Sequence, residues 1–184
     1  MRIDKLTREF NVELEWKMFP LHPETPAEGQ SLEALFAGRD YDPEASYQRM
    51  KGLMDEEGLP YSRRSHTYNS RMAQELAKWA DTVPGSEAFH DALYRAYFVD
   101  NLNIGDLQSL LDIAASVGLD RDEARAVLEQ QRFKDEVDAD WLKSRQYGVT
   151  GVPTFVSNMH GVVGAQPYEV LVQLMEQTGV ERRT

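Results

Sequence analysis

The stretch GVTGVPTFV, residues 148–156, decides the fold. Its two glycines allow a sharp turn, and Pro153 stands where a strand begins, a position at which the missing N–H is tolerated. The three residues after Pro153 are β-branched or aromatic, which predicts a buried strand. Because only X–Pro bonds adopt the cis form at low cost, the Val152–Pro153 bond is either cis or an ordinary trans bond that opens the strand.

The residues after this stretch predict a hairpin and a helix. A polar turn at 157–161 leads to a second short strand, Val162–Ala165. A helix follows from Pro167, a residue type favoured at the first helical position. Its apolar side chains have helical spacing, at Val170, Leu171, Leu174 and Met175. The C-terminal third of the chain is therefore predicted to run strand, hairpin, strand, helix.

Length and composition exclude several classes of function. At 184 residues the chain is one domain, or one domain with an insertion. Its net charge of −11 repels phosphate backbones, so we expect no nucleic-acid partner. No apolar run approaches the roughly 18 residues that a membrane span needs. The chain contains no cysteine, so it has neither disulfides nor thiolate chemistry of its own.

Apolar periodicity predicts the other elements. Ile3, Leu6 and Phe10 share one face of an N-terminal helix that no capping residue precedes. Residues 12–18 alternate apolar and charged side chains, which predicts a strand with one wet face. A short helix is expected at 31–37 and a longer one at 43–57, followed by a polar, basic loop at 61–67. Consecutive amphipathic helices with short links then fill residues 70–147.

Other recognisable chemistries are missing from the sequence. The four histidines have no metal-ligand spacing, and no zinc, phosphate-binding or nucleophile motif is present. The acidic residues are scattered along helix faces without an isolated pair. The aromatic side chains of Tyr94, Tyr97 and Phe98 are interpreted as packing residues. We therefore expect no metal site and assign no catalytic residue.

Several ordered stretches together resemble the DsbA-like thioredoxin-fold family, in its FrnE-type branch. The match begins with GVTGVPTFV and the hairpin that ends in Gly164-Ala165-Gln166-Pro167. A second stretch places Trp16, Lys17, Phe19, Leu21 and Pro23 where the family has a W-(R/K)-x-F-x-L-x-P segment. Three helical stretches add to the resemblance, at 68–71, 95–98 and 122–128.

The resemblance implies an α/β thioredoxin-like fold with an inserted all-helical domain. Residues 1–67 and 148–184 would form the thioredoxin-like domain, and residues 68–147 the helical insertion. The family's fold begins with a strand and a Cys-x-x-Cys, or a serine-containing substitute, and this sequence has neither. We therefore expect a shortened family member, through a misplaced gene start, a shortened cloned piece or gene decay.

The absent first strand has a physical consequence. In the thioredoxin arrangement that strand lies between the strand at 12–18 and the strand at 153–156, and unpaired backbone groups are costly when buried. The two strands could pair directly, could associate with another copy through their exposed edges, or could stay unpaired.

The function that the resemblance implies is thiol–disulfide exchange on a peptide or small-molecule thiol or disulfide. Val152, Pro153 and Thr154 would hold the extended substrate, while the role of the attacking thiolate is unoccupied. No cofactor is implied, although glutathione is a candidate substrate. Two alternatives stay open: a glutathione-dependent isomerase of the hydroxychromene-carboxylate type, and a non-catalytic module that binds extended peptides. The FrnE-type resemblance favours a cytoplasmic location.

Overall fold

The computed structural model describes residues 2–183 and contains nine helices and four short strands within them. The helices are α1 Arg2–Glu9, α2 Leu32–Leu35, α3 Pro43–Glu56, α4 Arg71–Ala80, α5 Ala88–Phe98, α6 Leu107–Ser116, α7 Arg121–Glu129, α8 Lys134–Gln146 and α9 Tyr168–Gln177. The strands are β1 Gln30–Ser31, β2 His66–Thr67, β3 Thr154–Ser157 and β4 His160–Val163.

The chain folds into two compact units. Unit 1 comprises Met1–Leu21 and Ala139–Thr184, and unit 2 comprises His22–Asp138. The domain boundaries implied by the resemblance lie at 67 and 148, and they stay a prediction. The two compact units are defined by contacts within this chain, whereas the predicted boundaries follow the domain limits of the family.

Unit 1 is built around the contact between its first and last helices. Leu6 and Phe10 pack with Leu171, Leu174 and Met175, all less than a tenth exposed. This confirms the predicted N-terminal helix, and it shows why the spacing of its apolar side chains matters. Apolar area removed from water is the main stabilising contribution in such a cluster.

The strand predicted at 12–18 is wrong. Within residues 2–183, this segment pairs with no strand. An isolated antiparallel β-bridge between Phe10 and Arg182 lies just before it. Leu14 and Trp16, expected on the buried face, are 45% and 47% exposed. An alternating pattern describes only the two faces of an extended segment, and a strand also needs a neighbour to receive its backbone hydrogen bonds.

A buried carboxylate in α8 fixes the end of this extended segment. Asp140 Oδ2 accepts a hydrogen bond of 2.9 Å from the backbone N–H of Met18, and Asp140 Oδ1 lies 3.4 Å from the Lys17 ammonium. Burial lowers the pKa of Lys17, but its hydrogen bond with Glu15 and the charge of Asp140 outweigh that effect and raise the pKa. The end of the segment is therefore held by side chains of α8 rather than by a sheet.

The predicted hairpin is present, with shifted boundaries. Strands β3 and β4 pair antiparallel, with Phe155 opposite Val162 and Ser157 opposite His160. The second strand thus begins at His160, two residues before the predicted start, because Asn158 and Met159 adopt positive φ and close a two-residue turn. β3 is half-buried rather than buried, and Pro167 caps α9 instead of opening it.

Unit 2 is mostly helical, and α4 to α7 confirm the consecutive helices predicted between residues 70 and 130. Its core consists of small, aliphatic and aromatic side chains from α4, α5, α6 and α7, including Leu76, Phe89, Leu110, Leu111 and Val127, none of which is exposed to solvent. Asp106 and Asp120 cap α6 and α7, accepting hydrogen bonds from the backbone N–H groups of Ser109 and Glu123. These caps lie at the predicted helix starts.

A two-stranded ladder also lies in unit 2, which the sequence did not predict. Gln30 pairs with Thr67 and Ser31 with His66, so the predicted loop at 61–67 contains a short strand. Gly29 precedes the ladder with φ of +89°, and a Cβ at this position would lie 2.4 Å from Cδ1 of Tyr68. Glycine is required here both by the backbone conformation and by the aromatic ring.

None of the helices within residues 2–183 combines the length and the apolar character needed to cross a bilayer.

Candidate substrate-binding groove

The β3–β4 hairpin has two apolar faces with different surroundings. Side chains alternate along a strand, so Phe155 and Val162 point to one face, and Thr154, Val156 and Val163 point to the other. Phe155 and Val162 pack against the α1–α9 core. Val156 and Val163 remain 43% and 52% exposed. The second face of the hairpin is therefore an open apolar surface.

An open depression of about 200 Å³ lies on this second face, and we call it the hairpin groove. It is lined by Tyr147, Gly148, Val149, Thr154, Val156, Met159, Gly161 and Val163. Met159, at the hairpin turn, is 76% exposed, so its flexible thioether can adapt to a ligand. The groove brings together the turn that precedes the strand, the strand itself and the tip of the hairpin.

The backbone of Thr154 is available beside this groove. The N–H of Gly164 donates a 2.7 Å hydrogen bond to the carbonyl of Pro153, so Pro153 faces β4. Because backbone groups alternate in direction along a strand, the N–H and C=O of Thr154 face away from β4. In the part of the chain that the structure describes, β3 pairs only with β4. Thr154 thus offers one donor and one acceptor at a sheet edge.

The three residues predicted to bind substrate lie together at this edge. Val152 is 52% exposed, Pro153 is exposed and Thr154 is half-buried. The Val152–Pro153 peptide bond is cis, and the Thr154 hydroxyl donates a 2.7 Å hydrogen bond to the carbonyl of Gly151. That bond fixes the turn before the strand. The binding role of the three residues stays a prediction.

Sequence reasoning missed the side-chain part of the groove. Val156 and Val163 were assigned to strands but not to the site, and Met159 and Tyr147 were assigned only to a turn and a helix end. The alternation along β3 contained the signal, because Thr154 and Val156 must share a face. A second face as apolar as the first indicates a surface that a ligand or another chain element can cover.

The reactive side-chain groups among the residues that line the groove are the hydroxyls of Tyr147 and Thr154. None of its lining residues is a carboxylate, an imidazole, an amine or a thiol. His160 lies in β4, where its Nδ1 is 3.0 Å from the carbonyl of Asn158. Within residues 2–183, no cluster of three metal-ligating side chains is found. The arrangement is thus suited to holding an extended chain by hydrogen bonding and apolar contact.

The chain combines a hairpin that begins after a proline and packs one face on two helices with a second, mostly helical unit. A family model described as DsbA-like thioredoxin domain matches residues 1–176. The chain belongs to the DsbA-like thioredoxin family, and the fold predicted from the sequence is confirmed.

Three known proteins illustrate what this chain is similar to. A crystal structure of a probable DsbA oxidoreductase from Streptomyces coelicolor has 34% identity and a TM-score of 0.86, covering 100% of this chain and 84% of that one. The uncharacterized protein YwbO of Bacillus subtilis is 26% identical over 162 residues, 87% of this chain and 79% of that protein. A 2-hydroxychromene-2-carboxylate isomerase shares the fold at 19% identity, with a TM-score of 0.69 over 97% of this chain and 85% of that one.

Proposed function

We propose that this chain binds an extended peptide or a small peptide thiol along β3, and that this cysteine-free polypeptide does not itself carry out thiol exchange. The observation that supports binding is the outward-facing backbone of Thr154 beside the apolar hairpin groove. An extended ligand would pair with this edge through its main chain and would place one apolar side chain in the groove. Val152 and Pro153 would set the direction of the ligand backbone.

The proposal of inactivity rests on chemistry. Thiol–disulfide exchange begins with a thiolate that attacks a disulfide sulfur, and the sequence has no cysteine to supply it. We expect the purified chain to show no thiol-dependent reduction of insulin above the uncatalysed rate, with a dithiol thioredoxin as the positive control. Turnover that scales with the concentration of this chain would refute the proposal.

Binding is measured separately from turnover. The probe is a fluorescein-labelled, S-carboxymethylated insulin B chain, an unfolded peptide that cannot form disulfides, and the readout is fluorescence anisotropy. We expect saturable binding by the wild-type chain. Val163→Asp places a charge in the groove at a half-exposed position, so it should weaken binding about tenfold without unfolding the protein.

The matched control is Leu14→Asp, which adds the same charge to unit 1 at a side chain that is 45% exposed and does not line the groove. If both substitutions weaken binding equally, the loss is a general charge effect and the groove is not the site. If the wild-type chain shows no saturable binding, the proposed binding function is wrong.

Glutathione tests the alternative of a glutathione-dependent isomerase. In that alternative the tripeptide would occupy the same strand edge. Binding of glutathione by isothermal titration calorimetry, without binding of the carboxymethylated peptide, would favour it. The fold shared with the hydroxychromene-carboxylate isomerase does not by itself decide between the two ligands.

Three further expectations belong to this proposal. The GVTGVPTFV stretch supports placement in the FrnE-type branch, and that placement in turn supports a cytoplasmic location. The outward-facing edge of β3 also supports self-association of two copies by strand pairing. Light scattering after size-exclusion chromatography would measure the last directly, and a mass that stays at 21.0 kDa up to about 100 µM would exclude a stable dimer.

A further inference from the structure

Met159 is the most exposed of the methionines that the structure describes. It is 76% exposed at the tip of the β3–β4 hairpin, where it lines the hairpin groove. The other methionines in residues 2–183 are partly or fully buried: Met18, Met50, Met54, Met72 and Met175. One thioether in this part of the chain is therefore open to reagents in solution, and it lies in the surface that the proposed function assigns to the ligand.

The hairpin tip is tied to the rest of unit 1 on either side of Met159. Ser157 and His160 pair across the turn, and the hydroxyl oxygen of Ser157 lies 2.9 Å from that of Thr178, which follows α9. Asn158 and Met159 have φ of +42° and +68°. A residue with a side chain pays free energy for this left-handed conformation, and such residues cluster at functional sites. The thioether is thus presented at a defined place on the rim of the groove.

The sulfur atoms of this chain all belong to methionine thioethers, because it contains no cysteine. A peroxide therefore meets no thiol that would react first. When a thioether is oxidised, its sulfur attacks one oxygen of the peroxide, an S–O bond forms and the O–O bond breaks. The sulfur gives up two electrons, and the leaving hydroxide takes the proton of the transferred oxygen and departs as water. The product, methionine sulfoxide, replaces a flexible apolar group with a polar one.

We propose that Met159 is the preferred site of oxidation by peroxides among the described methionines, and that its sulfoxide closes the hairpin groove to apolar ligands. The proposal rests on the proposed function, because it concerns the same groove. Val156 and Val163 line that groove with Met159 and give it its apolar character. A sulfoxide oxygen is hydrated, and an apolar ligand side chain that covered it would remove this water without supplying a hydrogen bond. Oxidation should therefore weaken binding.

Limited oxidation tests the first half of the proposal without any ligand. The full chain is treated with hydrogen peroxide until about one oxygen atom per chain has been added, catalase stops the reaction, and peptide mass spectrometry locates the sulfoxide. We expect at least about fivefold more sulfoxide at Met159 than at any of the partly or fully buried methionines. Sulfoxide spread evenly over these positions would overturn the proposal.

Peptide binding by the oxidised chain tests the second half. The labelled, carboxymethylated insulin B chain is added after the peroxide has been removed, so that the probe itself is not oxidised. We expect its Kd to rise about tenfold on oxidation, and Met159→Gln, a polar side chain of similar length, should weaken binding to a similar degree without peroxide. Unchanged binding by a chain oxidised at Met159 would overturn this proposal alone. No saturable binding before oxidation would overturn the proposed function and, with it, the closing of the groove.

Two leucine variants identify the sulfur atom responsible. Met159→Leu cannot form a sulfoxide, so its Kd after peroxide treatment should differ by less than about twofold from its own Kd before treatment. The matched control Met54→Leu removes a partly buried thioether in α3, and it should lose affinity on oxidation as the wild-type chain does. Circular dichroism before and after treatment confirms that each chain is folded. An equal loss of affinity in Met159→Leu and in the wild type would assign the effect to another side chain and overturn the proposal.

Discussion

A single added methyl group at Gly29 should destabilise unit 2 more than its size suggests. Gly29 has φ of +89°, and a Cβ there would lie 2.4 and 2.6 Å from two ring carbons of Tyr68 and 2.9 Å from the carbonyl oxygen of Thr67. A residue with a side chain pays about 1–2 kcal/mol for the left-handed conformation alone. Displacing a packed ring adds about 1–3 kcal/mol, so we expect Gly29→Ala to lower the free energy of unfolding by about 3 kcal/mol.

Gly52 provides a matched control with the opposite sign. It lies on the exposed side of α3, its φ is not positive, and a Cβ there would meet no atom within 4 Å. Alanine is favoured over glycine within a helix by about 0.5–1 kcal/mol, so Gly52→Ala should stabilise unit 2 by that amount. Because both variants replace glycine with alanine, the difference between their unfolding free energies reflects the two sites rather than the type of substitution.

Urea denaturation at 25 °C, followed by far-ultraviolet circular dichroism, measures both variants. A double-mutant cycle with Tyr68→Ala then isolates the ring contact. Without the ring, the cost of Gly29→Ala should fall by about 1–3 kcal/mol, while the left-handed backbone and the close carbonyl oxygen of Thr67 account for the remainder. The reasoning is refuted if Gly29→Ala costs less than about 0.5 kcal/mol, or if its cost is the same with and without the Tyr68 ring.

Two further predictions concern carboxylates that order the backbone. Asp140→Ala should lower the free energy of unfolding by about 2 kcal/mol in the same assay, because the Met18 N–H and the Lys17 ammonium lose their acceptor. Asp140→Asn keeps an acceptor for the Met18 N–H, so it should lower the free energy of unfolding by less. Asp106→Ala should cost about 1 kcal/mol through loss of the α6 cap. Hydrogen bonds from the backbone N–H and then the hydroxyl of Ser109 lower the pKa of Asp106, so its stabilisation is fully present above the unfolded pKa of about 4 and is lost as the pH falls through the lower folded value. Urea titrations between about pH 2 and pH 6 should therefore show a weaker pH dependence for Asp106→Asn than for the wild type, and an unchanged dependence would contradict the assignment.

The helices could be predicted because their signals are local. The apolar spacing of α1 and the aspartates that begin α6 and α7 act within one or two helical turns, so sequence alone contains them. The strand predicted at 12–18 failed for the opposite reason, since pairing depends on another segment. The ladder of β1 and β2 was missed because two residues per strand are too few for periodicity to detect.

The residues of the candidate sites also fall into those that local sequence could predict and those that depended on contacts with another segment. Val152, Pro153 and Thr154 are adjacent in sequence and belong to a stretch that resembles the family, so they could be named in advance. Val156 and Val163 needed the register of the hairpin. The chain of ring contacts in unit 2 was beyond sequence reasoning, because its rings come from α3 (Tyr47), the loop before β2 (Tyr61), β2 (His66), the residue after β2 (Tyr68) and α5 (Tyr97 and Phe98). Tyr97 and Phe98, interpreted as packing, also remain partly exposed.

The charges close to a surface predict whether an anionic ligand can approach it better than the net charge of the whole chain does. The value of −11 sets the long-range repulsion of anions, yet the chain contains no acidic residue at 58–74 or at 141–168. The first stretch contains β2, and the second contains β3 and every residue that lines the hairpin groove. Within a Debye length of about 8 Å at physiological salt, a ligand carboxylate responds mainly to the side chains beside it. Acid-free stretches in an acidic chain therefore indicate where an anionic or extended ligand can approach without repulsion from neighbouring residues of the same segment.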